Sequence, residues 1–302
     1  MMKRFLILGL GISGRAAARY LLAQGAFVMG TDRKKEAFCL SEDGQELLQR
    51  GLIFLDEASC SIEALLPLDA VLISPGISHN HLLVREAKQL GLSILGEMEL
   101  GLLGLQQRPN TQLVGITGTN GKTTTTLLVE SVLQSAGRSA KAVGNSGFAL
   151  TRFLQDNLPQ DHLIIELSSY QLKELAIPIL QAGALLNITP DHLDRYPSME
   201  EYAAAKFQLK CSLRKEAPFF VQEKAWIEFG KKEPFSSIRI FGYHPGCWMW
   251  SDGLNLWIEG QYVLQWPNGG FGSPCHDLEN AMAAFALCRE MGVTPEQFLS
   301  GG

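Results

Sequence analysis

Long apolar runs, clustered basic residues and paired cysteines are all missing from this 302-residue sequence. Its six cysteines, Cys39, Cys60, Cys211, Cys247, Cys275 and Cys288, are scattered, with no C-x-x-C pair and no metal-ligand spacing. Isolated thiols of this kind fit a reducing compartment, not a disulfide framework. Charged residues are only 19% of the chain, the net charge is −5, and no basic block stands out, which argues against a nucleic-acid partner. The first apolar run, Phe5 to Leu10, breaks into Gly11-Ile12-Ser13-Gly14 with no cleavage signal after it. Nothing approaches the ~20 apolar residues of a membrane span. These absences lead us to expect a soluble, cytoplasmic protein with no membrane insertion. Internal repeats and low-complexity segments are absent too.

What is present is a 46% apolar chain long enough for two domains with their own cores. Phe5 to Leu8 reads as a buried parallel strand, followed by glycines and a helical pattern that Gly25 closes. Ala26 to Gly30 and Ala70 to Ser74 continue an alternating β-α-β pattern. The polar stretch "LQQRPNT" (105–111) marks a boundary, so we expect domains over 1–105 and 106–302. The second opens on the strand Leu113 to Thr117, a glycine loop, and a helix with Val129, Val132, Leu133 and Ala136 on its buried face. Leu163 to Glu166 and Ala184 to Ile188 read as further buried strands. From Arg239 to Trp266, short alternating runs punctuated by Asp252-Gly253 and Glu259-Gly260 predict a small antiparallel sheet. A last helix covers about 277–291. The expected fold class is therefore α/β: a Rossmann-like parallel-sheet domain, then a P-loop-type ATPase domain with a small antiparallel sheet.

Two glycine motifs carry chemistry. Gly9-x-Gly11-x-x-Gly14 lies between strand and helix, with Asp32 eighteen residues beyond Gly14. Backbone amides at that helix start suit a pyrophosphate, and the acid suits a ribose. NAD and FAD satisfy this pattern, and so does a UDP-linked sugar. The second motif, "GITGTNGKTTTT" (115–126), misses the usual Gly-x4-Gly-Lys-Ser/Thr spacing, because Ile116 stands where the first glycine belongs. Gly118-Thr119-Asn120-Gly121-Lys122-Thr123 nonetheless follows a strand and opens a helix. Its amides would cradle phosphates, Lys122 would reach the β and γ oxygens, and the Thr123 hydroxyl would meet Mg2+. Glu166, at the end of its apolar strand, is positioned to serve the metal, and the group Asn187-Ile-Thr-Pro-Asp191-His192-Leu-Asp194 follows the next strand at the same sheet end. Lys206 lies on a helix that Ser198-x-x-Glu201 starts, and from spacing alone it reads as a solvated surface residue.

Taken together, "GITGTNGKTT", "GNSG" (144–147), "IIELSSYQL" (164–172) and "LNITPDHLDRYPSMEEYAAAK" (186–206) closely resemble the Mur ligases, over essentially the whole chain. The L-alanine-adding member carries His where this chain has Asn120, and lacks the Ser-Ser-Tyr-Gln-Leu run. Folylpolyglutamate synthases share the ATP loop but lack the front glycine motif. The resemblance thus implies an ATP-dependent amide ligase of peptidoglycan precursor synthesis, adding D-glutamate to UDP-N-acetylmuramoyl-L-alanine through an acyl phosphate. An NAD-linked oxidoreductase built on the first motif, or a non-catalytic nucleotide-binding module, stand as alternatives.

By the same resemblance, ATP would meet Gly118 through Thr123, with Thr124 and with Asn280 near the adenine. Thr123 and Glu166 would hold one Mg2+, while Glu166, His192 and a carbamylated Lys206 would hold a second. The UDP substrate would meet Gly11, Ile12, Ser13, Asp32 and Ser74-Pro75-Gly76, with Asn145, Ser168 and Gln171 near its muramoyl part or the metal. NAD is not expected, and the protein is expected to be a monomer. The family's Gly-x-His-Asn before the adenine helix reads Pro274-Cys275-His276-Asp277 here. The resemblance also implies a third α/β domain of roughly 100–200 residues, absent from this chain, that contacts D-glutamate. The 302 residues alone are then expected to bind UDP substrate but to ligate little.

Overall fold

The computed structural model describes residues 2–78, 80–145, 147–156, 160–173, 175–191, 195–230, 237–271 and 275–301. The chain forms two compact units: Met1–Gln107 with Phe148–Leu158, and Arg108–Gly147 with Pro159–Gly302.

In the first unit, β1 (Arg4–Leu8), α1 (Ile12–Ala23), β2 (Phe27–Thr31), α2 (Lys35–Leu40), α3 (Glu42–Gln49), β3 (Ile53–Phe54), α4 (Ile62–Leu65), β4 (Ala70–Ile73), α5 (Leu82–Gln89), β5 (Ser93–Leu95) and α6 (Glu97–Leu105) follow in order. The five strands are parallel and run β3-β2-β1-β4-β5 across the sheet. The two-residue period of β1 explains its uninterrupted apolar sequence. Phe5 and Ile7 join Ala17, Ala18 and Leu21 of α1 on one face, while Leu6 and Leu8 join Leu83, Val84 and Ala87 of α5 on the other. Each fully buried leucine of this kind contributes about 1.5–3 kcal/mol of burial. Asp43 accepts from both Arg15 and Arg19, tying α3 to the outer face of α1.

One helix of the first unit comes from far along the sequence. The expected division at 105/106 put α8 (Leu150–Asp156) in the second domain, but its contacts are with α1 and α6. Its start is held by Glu97, whose Oε1 accepts from the N–H and the hydroxyl of Thr151, both at 2.7 Å. Burial pushes the Glu97 carboxyl up, and the hydrogen bonds from Thr151 and Leu150 oppose that. Gly101 allows the close approach, since a Cβ there would lie 2.6 Å from Leu150.

The second unit comprises β6 (Gln112–Thr117), α7 (Lys122–Ser135), β7 (Ala140–Gly144), β8 (His162–Glu166), α9 (Ser169–Leu172), β9 (Ala182–Leu185), α10 (Met199–Phe207), β10 (Phe219–Gln222), α11 (Glu223–Phe229), β11 (Ile238–Gly242), β12 (Met249–Ser251), β13 (Asn255–Ile258), β14 (Gln261–Gln265), α12 (His276–Glu290) and α13 (Pro295–Gly301). Nine strands form one sheet, β14-β13-β12-β11-β10-β9-β6-β8-β7. The run β7 to β12 is parallel, and only β12-β13-β14 pair antiparallel. The expected antiparallel sheet is thus a meander added to the edge of the parallel one. Val129, Val132 and Leu133 of α7 pack with α12, which is buried almost all round from Leu278 to Cys288. Among the described residues, no helix is long and apolar enough to cross a membrane.

His162 starts β8 at the sheet end opposite the glycine loop, and its side chain is buried at 7% exposure. Burial, with Arg138 adding to it, holds its imidazole below the ordinary value of 6.5, against Ser139 and Asp161. A lowered folded-state value means that the unfolded chain takes up the proton first as pH falls. Stability is therefore expected to drop as pH goes below about 6.5. His162→Leu should reduce that loss: the Tm difference between variant and parent should shift in the variant's favour from pH 7.5 to 5.5 (both pH values roughly bracketing the histidine range). A pH-independent difference would contradict this.

Candidate functional site

The first-unit site forms where β1 gives way to α1. Gly9 has φ +85° and its carbonyl accepts from the Ser74 hydroxyl at 2.6 Å. Both oxygens of Asp32 accept backbone N–H bonds, from Leu10 and from Lys34, each at 2.8 Å. Asp32 and Ser74 therefore shape the glycine turn from either side, a structural task that spacing alone did not disclose. Gly11 and Ile12 stay exposed at the start of α1, as do Pro75 and Gly76 after β4, with Ser13 half-buried. Beside them a cavity of about 440 Å³ is lined by Asp32, Arg33, Lys35, Phe54 and residues 56–58. The lining sets an aromatic ring and two cations, which suit a base with attached phosphates, beside three carboxylates, Asp32, Asp56 and Glu57. Arg33, Lys35 and Phe54 were missed in sequence; their only signal is position, the two cations just beyond β2 and Phe54 as the last residue of β3.

The second-unit site lies at the carboxyl ends of β6, β8 and β9, where open parallel sheets leave a crevice. The loop from Gly118 to Gly121 leaves β6 and enters α7, with β8 on one side and β9 on the other. Gly121 caps the helix at φ +81°, and a Cβ there would run into the Asn280 amide of α12. A side chain at 121 is excluded twice, by backbone conformation and by space. The expected adenine-side Asn280 thus sits against the loop itself.

The structure brings Glu166, Thr123 and Asn145 together. The Thr123 hydroxyl donates to Glu166 Oε2 at 2.9 Å and Asn145 Nδ2 donates to Oε1 at 3.2 Å. Glu166 is 1% exposed, so this carboxylate is buried on polar partners and directed at the first turn of α7. The Lys122 ammonium folds back onto the loop, donating to the carbonyls of Gly118 (2.9 Å) and Thr119 (2.8 Å). Burial lowers its pKa, with Glu166 and Asp191 working the other way.

Lys206 is not on the surface. It is 1% exposed, donates to the same Gly118 carbonyl at 2.8 Å, and lies 4.5 Å from the Tyr202 ring centroid. Burial, then the charge of Lys122, lower its pKa to about 7, with Asp191 opposing. The surface reading failed because α10 is covered on more than one side, burying Tyr202, Ala203, Ala205, Lys206 and Phe207. Two amines converging on one carbonyl make a site that favours an anion.

Other expected residues have local tasks. Ser168 and Gln171 form a reciprocal capping box at the start of α9, the Ser168 hydroxyl donating to Gln171 Oε1 at 2.9 Å. Thr119 Oγ1 pairs with Tyr202 (3.2 Å) and accepts from Thr189 N (3.1 Å), while Thr124 is exposed on the first turn of α7. His192 and Asp194 lie outside the described residues. Among the described residues, no three His, Cys, Asp or Glu side chains gather around a common metal position. The Thr123 hydroxyl and the Glu166 carboxylate are nevertheless hard oxygen donors in contact. Such a pair fits Mg2+, which binds one or two protein oxygens and completes its shell with water and phosphate.

Comparison with known proteins bears on both units. Residues 116–288 match the Mur ligase middle domain and residues 3–96 the MurD-like N-terminal domain. The chain is 40% identical over 297 residues to the UDP-N-acetylmuramoylalanine–D-glutamate ligase of Protochlamydia amoebophila, covering 98% of this chain and 65% of that protein. It is 33% identical to the ligase of the same name from Streptococcus mutans, covering 97% of this chain and 64% of that one. The chain therefore spans about two thirds of the length of such curated relatives. Among solved structures, the fold is like that of UDP-N-acetylmuramate:L-alanyl-gamma-D-glutamyl-meso-diaminopimelate ligase from Neisseria meningitides (TM-score 0.63, 18% identity, 100% of this chain and 97% of that one). It is also like UDP-N-acetylmuramate-alanine ligase from Thermotoga maritima (TM-score 0.56, 20% identity, 100% of this chain and 68% of that one). At such identities these two likenesses speak for the fold alone.

Proposed function

Because the chain belongs to the Mur ligase family, we propose that it binds the nucleotide substrates of an ATP-dependent ligase that joins D-glutamate to UDP-N-acetylmuramoyl-L-alanine. The observation that carries the reading is the Thr123–Glu166 pair at the mouth of the Gly118–Thr123 loop. The relatives at 33% and 40% identity, which bear that ligase's name, support D-glutamate rather than L-alanine as the amino acid.

The chemistry asks two anions to meet. An oxygen of the alanyl carboxylate attacks the γ-phosphorus of ATP, the bond to the β-phosphate oxygen breaks, and ADP leaves. The resulting acyl phosphate is attacked by the neutral amine of D-glutamate, the amide forms, inorganic phosphate departs, and the amine gives up a proton. Lys122 would swing from the Gly118 and Thr119 carbonyls to the phosphoryl oxygens, where its charge offsets repulsion between carboxylate and phosphate. Thr123 and Glu166 would hold Mg2+, which when bound supplies positive charge at the β and γ oxygens. A carbamylated Lys206, with Glu166 and His192, would hold a second ion. Asn145 would fix the Glu166 carboxylate through its 3.2 Å bond. In the first unit, the glycine turn and the cavity beside Asp32 would hold the UDP part. ATP and nucleotide-linked sugars place the reaction in the cytoplasm, and we take the protein to act as a monomer.

Two measurements test this. The complete gene product, given UDP-N-acetylmuramoyl-L-alanine, D-glutamate, ATP and Mg2+, should release ADP, and replacing D-glutamate by other amino acids should abolish it. No ADP release, or release with L-alanine on the unsubstituted muramoyl sugar, would overturn the assignment. Calorimetry on the chain should show binding of UDP and none of NAD; the reverse would favour an oxidoreductase.

A further inference from the structure

We propose that Asn187 is a positioning residue for ATP: its side-chain amide braces the phosphate loop and takes the Asn120 backbone N–H out of phosphate binding. This rests on the ligase reading above and goes beyond it by dividing the loop into a braced part and a binding part. Asn187 lies two residues past β9, with 9% of its surface exposed. Its Oδ1 accepts from the Asn120 N–H at 2.8 Å and its Nδ2 donates to the Asn120 carbonyl at 3.1 Å. That closes a two-bond ring like the exchange between paired residues of adjacent strands. Its own carbonyl accepts from the Thr119 N–H at 3.0 Å. One residue thus makes three hydrogen bonds to two consecutive loop residues.

The need for a brace follows from loop length. Gly118 and Gly121 are separated by two residues, where the longer phosphate-loop pattern has four. A shorter turn has fewer backbone groups of its own with which to hold its shape, and here the strand on its flank supplies them. The brace has a consequence for the ligand. The N–H groups of Thr119 and Asn120 point at Asn187, so they are occupied when a phosphate arrives. The donors left for an anion are those of Gly121, Lys122, Thr123 and Thr124, since first-turn amides have no acceptor within their own helix. Phosphate recognition therefore belongs to 121–124, and 119–120 set the position of that turn.

Asparagine meets both requirements of the ring, one acceptor and one donor on a short stem. Aspartate keeps the shape but sets a carboxylate oxygen against the Asn120 carbonyl and adds negative charge beside the phosphates. Alanine removes both bonds and leaves the Asn120 N–H and carbonyl without the partners that hold them in place.

The test is calorimetric titration of the chain with a non-hydrolysable ATP analogue and Mg2+, and separately with UDP as a reporter of the intact first unit. Asn187→Ala and Asn187→Asp should each weaken the analogue by about tenfold or more, the aspartate variant more severely, with UDP affinity within about twofold of the parent. A merely structural role would instead leave analogue binding unchanged in every variant that folds. Should the variants not fold, amide hydrogen exchange on the unaltered chain decides the matter. Asn120 should be protected with or without the analogue, whereas Thr123 and Thr124 should gain protection only when it is added. Analogue binding indifferent to Asn187, or an Asn120 amide that responds to the analogue as Thr123 does, overturns this proposal alone. An unaltered chain that binds no analogue overturns the ligase reading and this proposal with it.

Discussion

Glu166→Gln is expected to lower ADP formation by the complete gene product about 10³-fold, while UDP binding stays unchanged. The substitution keeps the size of a side chain that is 1% exposed, so packing around β8 is preserved. Thr123 Oγ1 can accept where it formerly donated, because a hydroxyl serves either way. What is lost is the negative charge that faces the first turn of α7, and with it the proposed metal ligand. Because burying an ionised carboxylate is costly, the variant's Tm should be equal to or above the parent's. Thermal unfolding and an ADP-release assay check the two halves together. Activity within about tenfold of the parent, a loss too small for a metal ligand, would remove Glu166 from the proposed metal site; a large fall in Tm would show a structural role instead.

Lys206→Ala should lose activity on a similar scale, about 10³-fold, and regain part of it with short carboxylic acids added to the assay. The reason lies in the proton state of a buried amine. With its pKa lowered to about 7, Lys206 is in large part neutral at physiological pH, and a neutral amine is the form that combines with carbon dioxide. A carbamate formed there would offer oxygen donors where the ammonium offers none. A small carboxylate diffusing into the space left by alanine would present similar oxygens. Lys206→Arg should be inactive and not rescued, since guanidinium neither reacts nor leaves room. Full activity of Lys206→Ala would return this lysine to a packing role. The unmodified amine also makes a stability statement. Its folded-state value of about 7 lies below the ordinary 10.5, so between them the unfolded chain holds more protons. In buffer stripped of carbon dioxide, stability should therefore rise from about pH 7 to 10.5, and Lys206→Met should remove that rise.

Both glycine loops, and the strands and helices that flank them, are legible in sequence because local conformation and ligand chemistry demand the same residues there. Glu166 is legible for a similar reason: an acid ending a five-residue apolar strand has few explanations. Where tertiary packing decides, the sequence is silent. The run from Ala182 to Leu186 is apolar throughout and has no phase of its own, so the expected strand at 184–188 sits later than the observed β9 at Ala182–Leu185. Pairing of Val114 with Ala182 sets the real start. Lys206 reads as a surface residue until the neighbours of α10 are known. Asn187 is visible only as one letter of a motif; its bonds to Asn120 join residues 67 apart. The strands β7 and β10 pass unnoticed because four or five residues of mixed character carry too little periodicity.

The return of α8 to the first unit has a consequence for the order in which the chain acquires its structure. During synthesis, β6, α7 and β7 leave the ribosome before the last helix of the first unit does. Until Thr151 emerges, Glu97 is a carboxylate without the donors that hold it, and the face of α6 around Gly101 awaits Leu150. A cut after Gln107 would freeze the chain in that condition. The N-terminal unit is therefore expected to be marginal as a separate polypeptide unless residues 148–156 are supplied, whether fused behind α6 or added as a peptide. The second unit carries, between two of its own strands, a piece of the first.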